Sequence, residues 1–579
     1  MSDEFVDYIN DNKTTWLRHY GVFYGAGAGW HFCFAGFSYS PASKLRLYVW
    51  GLPFRVPSFP HQHTGDGLSD ISESSYYRPS TEQFWGGNSQ TQQPFNNIKD
   101  FAANSGVFCC DDGTAWVASG GFQTQLNRLT NRLALGTVSE QKFNERNLTE
   151  DEETYFGTRN TPQRRDTCTR IIGKTGEFFD THIVAVASGG DGQSRTVFVD
   201  DAGDVWFSGA DITANQFFDA VAPLESVSGK LGFPTLVQFF EYESPSGLVQ
   251  LEESIHFVDA GFYDILDRFC GLTNDGKILL WGGFKDSSFQ EKLYEMAGFV
   301  SSVTTTNSGS GYASNPTLTV SDPDHPDGVK PAFTFSLSNG SVTGLRITDG
   351  GWGYETAPTL TFSAPGGNGT TATASCSLFD NTWTKLCNKK GFGAIASIDS
   401  DNNLFLCRND LSSGPIKPQN HSGSGYSDAK QGGSFVGGGG SLLLLTTGGT
   451  LEVFNVNTSN GQRDSSADRK IYSITATGLS FSHIAATGDD ADDNFACLST
   501  SGDLYYIGTT FEYNPTQGNG FPSDETSASV NYWQFSPALI EGDAKWTRVF
   551  GGNAGFVACR DESFDAHGNR IDPISPGLT

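Results

Sequence analysis

The sequence predicts an all-β protein: a single closed β-propeller of about seven four-stranded blades, carrying a small inserted β-module. Three observations lead to that expectation. One hairpin pattern recurs along the chain, its copies fall near a 50-residue spacing once an insertion is removed, and the composition is that of many short strands and tight turns. Of 579 residues 69 are Gly and 45 are Phe, against only 2 Met, and aromatics make up 13%. Such usage favours strands over helices. A chain of this length exceeds what one ordinary core serves, so it needs several domains or one architecture of repeated units.

In chain order the hairpin copies are "VFCCDDGTAWVASGG" from Val107, "TVFVDDAGDVWFSG" from Thr196, "FCGLTNDGKILLWGG" from Phe269, "AIASIDSDNNLFLC" from Ala394, "LLLLTTGGTLEVFN" from Leu442 and "NFACLSTSGDLYYIG" from Asn494. Each is an apolar strand, a tight turn and a second apolar strand. The turn residues are Gly113, Gly203, Gly276, Asn402, Gly449 and Gly502. Asp-Gly, Ala-Gly, Asn-Asn, Gly-Gly and Ser-Gly turns tolerate the positive φ that a tight hairpin needs. Two positions after each turn residue stand Ala115, Val205, Ile278, Leu404, Leu451 and Leu504. Four positions before stand Cys109, Val199, Leu272, Ile398, Leu445 and Leu498, and six before stand Val107, Val197, Cys270, Ala396, Leu443 and Ala496. Period-two spacing puts these on one face. A seventh copy is read at the start, "WHFCFAG" followed by "LRLYVWG" with a longer turn between them.

Successive turn residues lie 90, 73, 126, 47 and 53 positions apart. The 126-residue interval holds the 80 residues Phe299–Leu378, and without them it is 46. The chain therefore divides into propeller parts 1–298 and 379–579 around an inserted module, 299–378. A four-stranded unit of this size cannot bury both faces alone, and radial stacking of copies solves that problem. The linking segment "FSPALIEGDAKWTRVFGGNAGFVAC" from Phe535 reads as Pro, apolar strand, Trp, Gly-rich turn and next hairpin. Together with "LLWGG", these units resemble the repeats of regulator-of-chromosome-condensation propellers. The resemblance implies a ring of blades used as a scaffold, an inhibitor or an exchange factor. The Gly-Gln-Leu-Gly tail of those repeats is mostly absent, and no site residue is carried over.

The insertion has its own period of 42. "GSGYASNPTLTV" from Gly309 returns as "GWGYETAPTLTF" from Gly351. Gly309/Gly351, Gly311/Gly353, Tyr312/Tyr354, Pro316/Pro358 and Ser321/Ser363 correspond. Glycine suits a backbone that takes positive φ or passes beneath a ring, and "TLTV" and "TLTF" alternate like half-buried strands. The phrase is similar to a repeat in structural proteins of tailed bacteriophages, notably those infecting cyanobacteria. That resemblance implies a virion location and a tail, fibre or appendage role. The partners it implies are other virion proteins and a bacterial surface glycan or protein. Trp352 replaces Ser310 and does not repeat, so it is the candidate exposed partner-binding residue.

Charge narrows the function classes. The net charge is −28, which repels a phosphate backbone and argues against nucleic acid as a partner. No apolar run reaches the length of a membrane span, and the acidic start "MSDEFVDYINDNK" lacks a signal-peptide core. Cys33, Cys109, Cys110, Cys270, Cys497 and Cys559 sit in apolar strand-like runs without a Cys-x-x-Cys spacing, which fits buried thiols and a reducing place of synthesis. No nucleophile elbow or P-loop is present. His61, His63 and Asp66 read as surface loop residues. The acidic runs Asp322, Asp324, Asp327 and Asp489, Asp490, Asp492, Asp493 read as solvated loops, and Asp399 and Asp401 as turn chemistry. "SFQEKLYEMAG" from Ser288 reads as a capped short helix. The polar insertions near 53–97 and 131–181 read as contact loops. The expectation is a non-enzymatic structural protein with no cofactor and no metal. The alternatives are a carbohydrate-active or polysaccharide-binding propeller and a cellular protein-interaction propeller.

Overall fold

The computed structural model describes residues 98–102, 107–117, 169–171, 179–189, 195–209, 231–262, 269–281, 293–387, 394–408, 414–415, 417, 425–432, 441–454, 471–474, 476–487, 494–510, 532–541 and 546–551. It also describes the backbone of 23–24, 31–40, 44–50, 555–561, 563–564 and 570–571. Among the described residues every regular element is a strand. His61, His63, Asp66, the 489–493 acidic run and most of both polar insertions lie outside them.

Five sheets contain a complete meander of four consecutive antiparallel strands. Blade I is Ile98–Ala102, Val107–Cys110, Ala115–Val117 and Thr169–Arg170; blade II is Ile183–Gly189, Arg195–Asp200, Val205–Gly209 and Leu231–Val237. Blade III is Phe257–Phe262, Phe269–Thr273, Ile278–Trp281 and Leu293–Glu295. Blade IV is Tyr426–Gly432, Ser441–Thr446, Leu451–Phe454 and Ile471–Ser473; blade V is Phe481–Thr487, Asn494–Ser499, Leu504–Thr510 and Tyr532–Glu541. First strands pack on first strands, I on II, II on III and IV on V, which is a propeller arrangement.

The expectation of about seven such blades is corrected to five. Between III and IV the described residues form a sheet of three strands, Trp383–Leu386, Ala394–Asp399 and Leu404–Arg408. Beyond it Gly414 and Pro415 pack on the inserted module instead. The Gly414 amide donates to Asp349 Oδ1 at 2.7 Å, and Pro415 has no amide hydrogen to give a ladder. The last sheet joins both ends of the chain. His31–Ser40 pairs antiparallel with Lys44–Trp50 and in parallel with Gly555–Asp561, which pairs with Trp546–Gly551. The seventh hairpin copy is thus a hairpin, but its sheet is built from distant segments. The helix expected from Ser288 is corrected from Leu293 on, residues 288–292 lying outside the described ones. Leu293 and Tyr294 are both buried, in a strand held between Ile278–Trp281 and Glu241–Ser244.

All six turn residues predicted from the repeat have positive φ, between 62° at Asn402 and 86° at Gly502. The turn is also where one sheet grips the next. The carbonyls of Gly113, Gly203, Gly276, Asn402 and Gly449 accept from the amides of Ile183, Phe257, Trp383, Tyr426 and Phe481, each the start of the following first strand, at 2.7–2.9 Å. Within the following sheets, each turn also ties back to the residue before its own first strand, the Asp201, Asn274, Ser400, Thr447 and Thr500 amides donating to the carbonyls of His182, His256, Thr382, Gly425 and Ser480. A Cβ on Gly203 or Gly449 would press into His256 or Ser480. Asn402 has a Cβ, and there the facing residue is Gly425, 3.0 Å away from it if it gained one. Inside five of the six turns a side chain three residues earlier accepts the amide after the turn: Asp200 from Asp204, Thr273 from Lys277, Asp399 from Asn403, Thr446 from Thr450 and Ser499 from Asp503; in the Gly113 turn Asp112 accepts the Thr114 amide. Asp399 therefore serves the turn, as its sequence context predicts.

The hydrophobic core lies between sheets. Val197, Val199 and Phe207 of blade II pack with Phe257, Phe269 and Leu279 of blade III. Leu443 and Val453 of blade IV pack with Phe495 and Ile507 of blade V. Cys109, Cys270 and Cys497 sit fully buried in these layers as the sequence predicts. Burial pushes the thiols of Cys387 (to about 12) and Cys497 up, so they stay protonated.

Candidate functional site

The inserted module is two copies of one unit that complete each other. Each copy supplies three strands: Val300–Asn307, Leu318–Val320 and Ala332–Ser338, then Ser341–Asp349, Leu360–Phe362 and Thr373–Leu378. The first strand of copy one pairs with the last of copy two, and the last of copy one with the first of copy two. The middle strands pair antiparallel about Thr319↔Thr361, which are 42 residues apart. The tyrosines are exchanged in the same way. Tyr312 Oη donates to the Ser363 carbonyl at 3.1 Å, and Tyr354 Oη donates to the Ser321 carbonyl at 2.8 Å. The serine hydroxyls accept the Thr317 and Thr359 amides in matching fashion.

The glycines of the phrase are required by this geometry. Gly309 and Gly351 have φ of 67° and 68°, and Gly311 and Gly353 of 76° and 86°. Asn307 and Asp349 each accept the amide two residues on, at 2.8 Å, at the corresponding place. Gly311 and Gly353 face Gly369 and Gly328, so a side chain in either row would force the backbones apart. The predicted half-buried strands are confirmed, with Leu360 and Phe362 buried and Thr361 exposed between them.

Trp352 is not the exposed contact expected of it. It is fully buried at the root of the module, where Nε1 donates to the Glu295 carbonyl of blade III at 2.7 Å. Its ring meets Tyr294 at 5.4 Å and His325 at 4.7 Å, edge to face. It belongs to one core cluster with Met296, Phe299, Trp383 and Phe405. At this point Trp352 of copy two and His325 of copy one meet blade III together. The His325 Nδ1 accepts the Asp327 amide at 3.0 Å, leaving Nε2 to donate to Glu243 Oε2 at 3.3 Å. Glu243 belongs to the hairpin Glu241–Ser244 and Gly247–Gln250, which extends blade III outward. Sequence reasoning missed His325 and Glu243; the signal available was one His inside an otherwise acidic loop.

The rest of the acidic loop works on structure. Asp324 Oδ2 accepts the Glu355 amide at 2.8 Å, and Asp322 pairs with Lys330 at 2.7 Å. Among the described residues no group of three or more potential ligands is placed to hold a metal ion. The outward face of the pair Val300–Asn307 and Thr373–Leu378 presents hydroxyls. Ser302 and Thr304 are exposed opposite Ser377 and Ser375, and Thr306 and Thr373 are exposed at the register shift beyond them. The Thr306 and Thr373 hydroxyls are 2.6 Å apart.

No protein-family description and no curated protein matches the chain. Among solved structures it is similar to yeast RCC1 (Prp20) bound to Kap60, at 15% identity over 64% of this chain and 66% of that one, with a TM-score of 0.33. Human WBSCR16 is similar at 13% identity over 69% and 90%, with a TM-score of 0.29. The propeller of Dos1 is similar at 10% identity over 67% and 64%, with a TM-score of 0.23. The chain thus spans just under two thirds of the first of these.

Proposed function

We propose that this protein is a non-enzymatic structural component of a tailed bacteriophage particle, a tail, fibre or appendage part that contacts other virion proteins and, through its module, the host surface. The observation that carries the reading is the duplicated Gly-x-Gly-Tyr…Pro-Thr module set rigidly into a propeller. A propeller is a stiff support, and binding residues on such supports sit in what projects from them. With Trp352 buried, the contact surface is the outward row Ser302, Thr304, Thr306, Thr373, Ser375 and Ser377. Ring closure belongs to the same proposal. Phe550 of Trp546–Gly551 lies 6.4 Å from Phe101 of blade I, and Arg548 Nη1 approaches Asp111 Oδ1 at 3.5 Å. These contacts, with the pairing of both chain ends, support a closed ring.

Mass spectrometry of purified particles from the source, followed by single-particle imaging, tests the role. The expected result is the intact chain at stoichiometric abundance and a propeller-shaped density on the particle. Absence from particles, with the protein confined to the cytoplasm of cells, refutes it.

A further inference from the structure

Every first strand of the array breaks register at the same place. The breaks fall between Ile98 and Asp100, Ile183 and Ala185, Phe257 and Asp259, Trp383 and Lys385, Tyr426 and Asp428, Phe481 and His483, and Trp546 and Arg548. A bulge re-aims the side chain that follows it. Because first strands pack on first strands, seven equivalent side chains are re-aimed at one end of the inner strands. On one side they are Asp100, Ala185 and Asp259. On the other they are Lys385, Asp428, His483 and Arg548, with Lys430 two residues further on the same strand face as Asp428.

The second group forms a joined arc. Asp428 is buried and takes two ammonium groups, Lys385 Nζ at 3.0 Å on Oδ2 and Lys430 Nζ at 3.0 Å on Oδ1. Lys385 also donates to the Ser427 carbonyl, and Lys430 to the Cys387 carbonyl. Those bonds span two sheets and fix both amines near one point. The Lys385 side chain stays 40% exposed and Lys430 26%. His483 is exposed, yet desolvation lowers its pKa, with Asp428 opposing and Lys385, Arg548 and Lys430 assisting. Among the described residues the arc holds three permanent cations against two carboxylates, the buried Asp428 between the lysines and Asp111, which faces Arg548 at 3.5 Å. The chain as a whole has 37 Lys and Arg against 65 Asp and Glu. Screening over about 8–10 Å at moderate salt lets the local excess dominate the distant acidic surface.

We propose that this arc is a binding site for a phosphate- or sulfate-class oxyanion, gripped by Lys385, Lys430 and Arg548 with His483 beside it. Ammonium and guanidinium groups held by backbone carbonyls in fixed positions are preorganised donors for such an oxyanion. The buried Asp428 keeps the two lysines in place when the site is empty and limits affinity when it is filled. The site is independent of the virion role.

The test titrates the full-length protein with inorganic phosphate against sodium chloride at equal ionic strength, reading the thermal midpoint and heats of binding. The wild type should show a saturable rise in midpoint and saturable heat. Lys430→Met should lose both, whereas Lys277→Met, which removes a lysine ion-paired elsewhere with Asp275, should keep both. Asp428→Asn should lower the midpoint without phosphate but tighten phosphate binding several-fold, a change that mere loss of folding does not produce. Arg548→Gln provides a second weakening variant should Lys430→Met not fold. Glucose 6-phosphate run in parallel separates the sources: tighter binding than inorganic phosphate supports an ester, weaker binding supports the ion itself. The proposal is overturned by equal effects of phosphate and chloride, by an undiminished response in Lys430→Met, or by weaker binding in Asp428→Asn.

Discussion

At the residue scale, the contact between a turn and the next sheet shows how a deviation from the repeat is absorbed. Asn402 takes φ of 62° and Gly425 makes room for it. Gly425→Ala should cost about 1–3 kcal/mol by overpacking. Asn402→Gly alone should be nearly neutral, because relief of left-handed strain is offset by added freedom in the unfolded chain. The double variant should recover most of the loss, and a denaturant-melt double-mutant cycle measures the coupling. Trp352→Ala should destabilise by about 3–5 kcal/mol, since it removes a fully buried Trp and its bond to Glu295. A drop in the unfolding midpoint checks it; an unchanged midpoint would contradict the burial. The two positions differ in how readable they were. Turn Gly and Asn residues announce positive φ through their type, whereas nothing in "GWGYE" says which way an indole faces. The mismatch with Ser310 was visible, but its cause, contact with blade III, is a tertiary fact.

At the element scale, the bulged first strands tie charge to acidity. The His483 pKa is held below its ordinary value of 6.5, chiefly by desolvation, so the folded state takes up a proton less readily than the unfolded chain. Its contribution to stability is therefore complete above pH about 6.5 and declines as pH falls below that value. The carboxyl of Asp428 resists burial because Lys430 and Lys385 favour its ionised form, and its pKa is lowered. Its share persists above the ordinary Asp value of 3.8 and fades as pH falls further. Midpoints recorded from pH 7 to 5 should fall in the wild type and fall less in His483→Gln. An equal slope in both would exclude His483. Hairpins and module strands were legible because period-two alternation and turn chemistry are local. The bulges were not, since a break in register depends on the partner strand. For the same reason Leu293–Glu295 looked helical: its capping signal is local, while its two strand partners are not.

At the scale of the whole molecule, the sheet that combines His31–Ser40 with Gly555–Asp561 puts the proposed closure to the test. Truncation after residue 545 removes Trp546–Gly551 and Gly555–Asp561, leaving His31–Ser40 without its parallel partner. Under the proposed closure the shortened chain should melt over a broader range and at a lower temperature than the intact one, which calorimetry checks. An unchanged transition would separate the ends from the fold. Repetition made the array readable, since six copies of one hairpin vote on its geometry. The count of complete blades was not readable, because the segments before and after a hairpin carry no such repetition. The parallel pairing runs in step from Cys33↔Gly555 to Tyr39↔Asp561. Tension applied ahead of Cys33 and beyond Asp561 would pull these two strands along their length in opposite directions. All their mutual hydrogen bonds then share the load at once, where a hairpin pulled at its open end would release them one at a time. The join between the two ends is a shear clasp, built to resist traction along the chain.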